Sequence, residues 1–272
     1  MKIVVYIGKK EVTQEPDLKK LMADLRAGGC ELYMLEDEYI PDDECDLLMS
    51  VGGDGTFLSA SMLVAGTDIP VLGVNLGRLG FLSENRPSMV AQAILSGEYA
   101  VESRTILKAD VHTGVPDIDD RPYALNEFTV HRSGAAMLGV EVKLNRVQLP
   151  TYWADGLIIS TSSGSTAYSL SAGGPIVLPE SRVLIISPIA PHNLNVRPLV
   201  VPDNSEISLR FRSRDDKVIF TADNRTAFIS PETQIDISVA QFSLRRVRLN
   251  RSNFIDALTE KLFWGEDIRN IK

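Results

Sequence analysis

Ser50-Val51-Gly52-Gly53-Asp54-Gly55-Thr56-Phe57-Leu58 sets three glycines and one carboxylate in four consecutive positions, between an apolar run and a stretch of helical character. Glycine tolerates positive φ and lets a backbone come close to a ligand. A turn that opens a helix also presents unpaired N–H groups, which suit a phosphate. A carboxylate in such a cradle repels phosphate unless it has a task, and Asp54 has two on offer: orienting a metal, or accepting the proton of an attacking hydroxyl. The competing reading is a tight strand–helix connection with Asp54 as the helix cap, and local chemistry does not choose between them. The segment is neither a Walker A loop, which ends in Gly-Lys-Ser/Thr, nor a GxGxxG fingerprint.

Three further segments carry chemistry. Gly73-Val74-Asn75-Leu76-Gly77-Arg78-Leu79-Gly80-Phe81 is a second glycine-rich turn after a strand. From Ser160 to Ser171, eight of twelve residues bear aliphatic hydroxyls and Tyr168 adds a phenol. Between core strands so many hydroxyls need partners. They form either a clamp on a polar heterocycle or ribose, or a self-bonded Ser/Thr turn. Asn126-Glu127, an amide and a carboxylate within an apolar run, suits bidentate recognition of ribose hydroxyls.

The elements that must position these groups fall into two textures. Ile3–Ile7, Leu32–Leu35, Leu47–Val51 and Val71–Val74 read as buried strands. Between them, Leu18, Leu21, Met22 and Leu25 recur at helical spacing and stop at Gly28-Gly29. Phe57–Val64 reads as a helix, and another starts at Pro87 and ends at Gly97. This alternation predicts a parallel sheet with helices on both faces, whose ligands bind at the carboxyl ends of the strands. From about Tyr99 short β-rich runs take over: 104–111, 124–131, 140–144, 156–160, 183–187, 207–212, 217–222 and 235–239. Phe254, Leu258 and Leu262 then share one face of a last helix, with Ser252 placed to cap it. The expected division is an α/β domain over 1–98, rejoined by 250–272, and a mostly β domain over 99–249.

Composition narrows the function. The 272 residues carry 28 basic and 36 acidic side chains, a net charge of −8, which argues against a nucleic-acid partner. Arg210, Arg212 and Arg214, and likewise Arg246 and Arg248, alternate along strands and read as solvated faces. Two cysteines, Cys30 and Cys45, make no disulfide framework and no CxxC pair, and read as reduced thiols. Pro188 breaks the apolar stretch Val183–Ala190, far below the ~20 residues a membrane span needs. A cytoplasmic protein with no membrane partner is expected.

Taken in order, Gly52-Gly53-Asp54-Gly55-Thr56, Asn75 through Leu82, Asn126-Glu127, Asp155-Gly156-Leu157, Ser163 through Pro175, Pro188-Ile189-Ala190-Pro191-His192 and Arg197-Pro198-Leu199 resemble the NAD kinase family. The glycine–Asp turn is shared with lipid kinases and phosphofructokinases, whereas Thr166-Ala167-Tyr168-Ser169-Leu170-Ser171 is far more discriminating. The resemblance implies a two-domain fold, with an α/β N-terminal nucleotide-binding domain and a mostly β C-terminal domain. It implies transfer of a phosphoryl group from ATP to the 2′-hydroxyl of NAD's adenosine ribose, with a divalent metal such as Mg²⁺ and no dedicated set of protein metal ligands. It also implies a homo-oligomer, dimer or tetramer, in which a neighbouring subunit completes the NAD pocket. Carried over by position, Asp54 is the base, with Gly52, Gly53, Gly55 and Phe57 beside it at the nucleotide. Asn126, Glu127, Asp155, Ser163, Thr166, Ala167, Tyr168, Ser169, Leu170, Ser171 and Ala190 are NAD contacts, with Arg225 a weaker candidate. Three positions depart from the family pattern. Trp153 stands where relatives often have Arg, Thr161-Ser162-Ser163-Gly164 where Thr-Pro-Thr-Gly is usual, and Asp223-Asn224-Arg225 where Asp-Gly-Gln is frequent. The alternatives are a related lipid or sugar-phosphate kinase, which would keep the glycine–Asp turn, and a non-catalytic NAD-binding regulator, which could lose Asp54.

Overall fold

Ile3, Val4 and Val5 are buried in the middle of β1 (Lys2–Ile7), the strand on which the first half of the chain is built. The structure, a computed structural model, describes residues 1–35, 45–77, 80–249 and 253–265. The chain divides into two compact units, Met1–Ser103 with Leu244–Lys272, and Arg104–Ser243.

In the first unit β1 is followed by α1 (Pro16–Ala27), β2 (Glu31–Met34), β3 (Leu47–Val51), α2 (Asp54–Leu63), β4 (Val71–Val74) and α3 (Pro87–Ser96). The strands run parallel in the order β2-β1-β3-β4, and Arg246, on the long strand Ile235–Leu249, pairs with Val71 at the open side of β4. Chain order reverses at β1, so the crevice beyond the carboxyl ends of β1 and β3 is the expected place for a ligand. The turn Gly52–Gly55 leaves β3 there.

Leu18, Leu21 and Leu25 pack the buried face of α1 against the sheet with Ile3, Met49, Leu72 and Val247. Truncating one such leucine to alanine typically costs ~2–5 kcal/mol. Pro16 opens α1 and Gly28 ends it. A Cβ on Gly28 would lie 2.3 Å from Leu95 of α3, so the smallest residue there permits the contact between the two helices. The last helix, Phe254–Leu262, buries Ala257 and Leu258 and is capped by the side chain of Asn253, which accepts from the Asp256 N–H. The expected cap, Ser252, lies outside the described residues, as do Arg78 and Leu79 of the second glycine turn.

The second unit is built of two antiparallel sheets. One has six strands in the order 199–202, 183–189, 156–161, 127–132, 218–222 and 225–229. The other aligns Tyr152–Ala154, Leu138–Leu144, Ile207–Arg212 and the start of Ile235–Leu249. Alternate residues of both sheets form one core, in which Phe128 and Phe220 stack with ring centroids 5.5 Å apart.

Two expectations fail. β2 is an edge strand with none of its four residues buried, because only β1 flanks it. Arg246 is not on a solvated face: it is 4% exposed, with Nη2 2.7 Å from Glu84 and Nη1 3.7 Å from Glu102, which also pairs with Arg248. A buried guanidinium is tolerated only with such partners. The other arginine row is exposed at Arg210 and Arg212, and Arg212 pairs with Glu141.

Candidate active site

Asp54 is the first residue of α2, and Gly53 stands at the cap position with no side-chain cap bond. The helix-cap reading of Asp54 is therefore overturned. Its carboxylate instead accepts three backbone N–H groups from the second glycine turn: Phe81 to Oδ2 at 2.9 Å, and Leu82 and Ser83 to Oδ1 at 3.0 and 2.8 Å. That turn is itself pinned. Ser83 Oγ donates to Gly52 O at 2.6 Å, Asn85 Nδ2 to Gly73 O at 2.8 Å, and Asn75 Oδ1 accepts from the Gly77 N–H. A Cβ on Gly80 would sit 1.9 Å from Asp54 Oδ1, so the turn can approach the carboxylate only with glycine there.

The three glycines around Asp54 are not equivalent. Gly52 has φ +151° and a Cβ there would strike Thr56 at 2.3 Å, so its side-chain-free state is required by the fold. Gly53 and Gly55 have ordinary backbone angles open to any residue, and a Cβ on either meets nothing within 4 Å. Together with the uncapped first turn of α2, this is an open cradle of N–H donors. Phe57, grouped with the ligand contacts by resemblance, is fully buried and lies 3.0 Å from where a Gly73 Cβ would be, so its side chain supports the turns from beneath. Alanine at Gly55 is expected to leave the melting temperature equal or slightly higher, because alanine in a helix is worth ~0.5–1 kcal/mol over glycine. Turnover with ATP should nevertheless fall at least about tenfold if a ligand uses that space. Unchanged turnover would remove the cradle.

The second unit concentrates polar atoms that have no protein partner. Asn126 Oδ1, Glu127 Oε2, Ser160 Oγ and Ser163 Oγ are all buried and unpaired. Such groups typically cost ~1–3 kcal/mol each, so four close in sequence and pairing make this a candidate ligand site. Ser160 stands opposite Glu127 in the antiparallel register, which puts both side chains on one face. A Gly164 Cβ would lie 2.2 Å from Asn126 O, which holds the hydroxyl-rich segment against Asn126.

Most of the hydroxyls serve the fold. Thr161 donates to Leu125 O, Ser162 to Pro179 O, Ser165 to Val177 O, Thr166 to Ser163 O, and Ser169 is bonded to Ser187. Ser160 and Ser163 are the members left available deep in the segment. Tyr168 is 39% exposed with its ring stacked on His131, centroids 5.7 Å apart, while its backbone N–H bonds Glu127. Ala167, Leu170 and Ser171 complete this short turn without being buried. Asp155 pairs with Arg132 at 2.7 Å, and its charge partly offsets the downward push of burial on His131. Ala190 is exposed in the left-handed region at φ +45°, a conformation that costs a non-glycine residue about 1 kcal/mol or more.

Asp223 is the positioning residue that sequence reasoning missed. It is half-buried and accepts the N–H groups of Leu125, Asn126 and Glu127 at 2.8, 2.9 and 3.1 Å, fixing the loop that carries Asn126 and Glu127. Its φ of +50° begins the hairpin turn between Val218–Ala222 and Arg225–Ile229, and an Asp-Asn pair at such a turn was the available signal. Burial pushes the Asp223 carboxyl up against the pull of its amide bonds. Burial, then the neighbouring Asp223, raises Glu127 to about 8. Arg225 is directed elsewhere: its guanidinium donates to Asp117 O, Arg121 O and Tyr123 O. Among the described residues no group of three or more His, Cys, Asp or Glu is placed to hold a metal ion.

Residues 19–99 match the ATP-NAD kinase N-terminal domain and residues 125–249 the ATP-NAD kinase C-terminal domain. An NAD kinase of Flavobacterium psychrophilum is 45% identical over 234 residues, 84% of this chain and 79% of that protein. The chain belongs to the NAD kinase family. A second NAD kinase, from Flavobacterium johnsoniae, is 36% identical over 99% of this chain and 100% of its own length. Among solved structures, an NAD kinase from Archaeoglobus fulgidus in complex with ATP superposes with a TM-score of 0.79 at 26% identity, covering 96% of this chain and 98% of that one. Yeast NADH kinase complexed with NADH shares the fold, with a TM-score of 0.84 at 22% identity. For this NAD kinase family member the lipid-kinase, sugar-kinase and non-catalytic alternatives are not favoured.

Proposed function

We propose that the chain transfers the γ-phosphoryl group of ATP to the 2′-hydroxyl of the adenosine ribose of NAD, giving NADP and ADP. The observation that carries the mechanism is a carboxylate at the mouth of an open, uncapped helix N-terminus, held by three amides. A carboxylate has about four acceptor positions. Oδ1 of Asp54 uses two and Oδ2 one, so Oδ2 keeps a lone pair for one hydroxyl proton. The N–H groups around Gly53 and Gly55 receive phosphate oxygens, and Asn126, Glu127 and Ser163 receive hydroxyl or amide donors of NAD. Phosphoryl transfer asks mainly for such positioning and a group to accept the proton.

A divalent ion, in this reading Mg²⁺, neutralises phosphate charge when bound. With no clustered ligand set among the described residues, it rides on the nucleotide phosphates and water, as Mg²⁺ commonly does. A homo-oligomer, dimer or tetramer, that completes the NAD pocket is supported by the six-stranded sheet, whose edge strands expose Leu199, Val200 and Phe228. A cytoplasmic setting accords with two cysteines, Cys30 and Cys45, that are not joined in a disulfide, and no helix among the described residues is long and apolar enough to cross a membrane. Incubation with ATP, Mg²⁺ and NAD, read by an NADP-specific dehydrogenase, should give NADP in proportion to enzyme. Its absence would overturn the proposal.

A further inference from the structure

The three N–H groups that bind Asp54 belong to three consecutive peptide units, 80–81, 81–82 and 82–83. In a trans peptide the C=O points away from the N–H. Each of these carbonyls, on the side away from Asp54, meets a cation from the C-terminal part of the chain. Lys261 Nζ donates to Gly80 O, and Arg246 Nη2 donates to Phe81 O at 3.4 Å and to Leu82 O at 3.3 Å. Every peptide in the row therefore has a positive group at its carbonyl end and the Asp54 carboxylate at its amide end.

The clamp is braced. Arg246 is buried and ion-paired to Glu84, the residue after the row. Lys261 also lies 4.8 Å from the centre of the Phe81 ring, which contacts Phe254 of the same helix at 6.1 Å. Burial pushes the Lys261 ammonium down, while Glu84 and Asp54 pull it back up. Hydrogen-bonded groups in series polarise one another, and low local dielectric strengthens the effect.

The geometry points to Lys261 and Arg246 as positioning residues that act on Asp54 through the peptides 80–83, fixing the direction of its carboxylate for the transfer step. Neither needs to touch ATP or NAD. The inference rests on the proposed activity for its catalytic consequence, though the clamp itself is independent of that reading.

The test uses the full chain. Lys261→Met should lower kcat about 10- to 100-fold, the scale of a small misplacement of a catalytic group, with KM for ATP and NAD changed less than about twofold. Lys261→Arg should recover most of the loss. In the Asp54→Asn background Lys261→Met should have little further effect, because its target is already disabled. A raised KM with unchanged kcat, or an equal loss in both backgrounds, would overturn the inference. Amide NMR supplies a readout free of activity: Lys261→Met should shift the Phe81 N–H most, and Arg246→Lys the Leu82 and Ser83 N–H groups. Unmoved amides in folded variants would refute the clamp even in an active enzyme. Amides that move as expected in a protein unable to make NADP would instead refute the proposed function.

Discussion

Asparagine at Asp54 is expected to lower kcat by ~10²–10⁴-fold, the usual worth of a general base, while NAD still binds. The substitution keeps size and leaves one oxygen to accept the Leu82 and Ser83 N–H groups. It also turns an acceptor into an NH₂ facing the Phe81 N–H, so one of the three amide bonds is lost. That loss is worth ~1–3 kcal/mol, and the variant should melt a few degrees lower than the parent. Extra Mg²⁺ should not restore turnover, since Asp54 keeps only one open acceptor position and that position is assigned to the hydroxyl. Rescue by Mg²⁺ would recast Asp54 as a metal ligand. Near-normal turnover in the folded variant would falsify the base assignment, and Asp54 would then be a structural hub for the Phe81–Ser83 row.

Glutamine at Glu127 is expected to stabilise the protein at high pH and to damage NAD binding. Glu127 is 8% exposed, its Oε2 has no partner, and its pKa is raised from 4.5 to about 8, first by burial and then by Asp223. The folded state therefore holds a proton that the unfolded state has lost between about pH 4.5 and 8. Stability contributed by this group falls as pH rises through that window and levels off above it. The shift corresponds to at most ~5 kcal/mol at about 1.36 kcal/mol per unit, and coupling to Asp223 makes the measured effect smaller. Glu127→Gln removes the penalty, so its melting temperature should exceed the parent's at pH 9 and match it near pH 4.5. Its affinity for NAD at pH 9, where the Glu127 carboxyl is ionised, should drop about tenfold or more, the loss of one charge-assisted hydrogen bond at ~1.5–3 kcal/mol. No stabilisation at pH 9 would show that Glu127 is not a buried, uncompensated charge. Unchanged NAD affinity would remove it from the binding site.

These two carboxylates show how much the local sequence conveys. Asp54 was legible because three glycines after an apolar run announce a strand, a tight turn and a helix, all within nine residues. The helix of Leu18, Leu21 and Leu25 was legible for the same reason, since a 3.6-residue period needs no knowledge of distant neighbours. Asn126 and Glu127 stood out as polar residues against apolar surroundings. Their separation into a paired and an unpaired set of atoms was not legible, because Asp223, which fixes their loop, lies 97 residues from Asn126.

The sequence by itself determined the family, the parallel α/β character of the first unit, the β character of the second and the candidate ligand segments. Tertiary structure alone decided which members of those segments are free to act. It assigned half of the Ser160–Ser171 segment's Ser/Thr hydroxyls to backbone carbonyls, left Ser160 and Ser163 available, turned Arg225 onto carbonyls, and separated Gly52, required by the fold, from Gly53 and Gly55, which border open space. It also buried Arg246 beside Glu84 and set it against Leu82, 164 residues away in the chain. Periodicity and turn chemistry are properties of neighbouring residues, whereas the satisfaction of a buried polar atom depends on whichever distant backbone the fold brings within 3 Å or so.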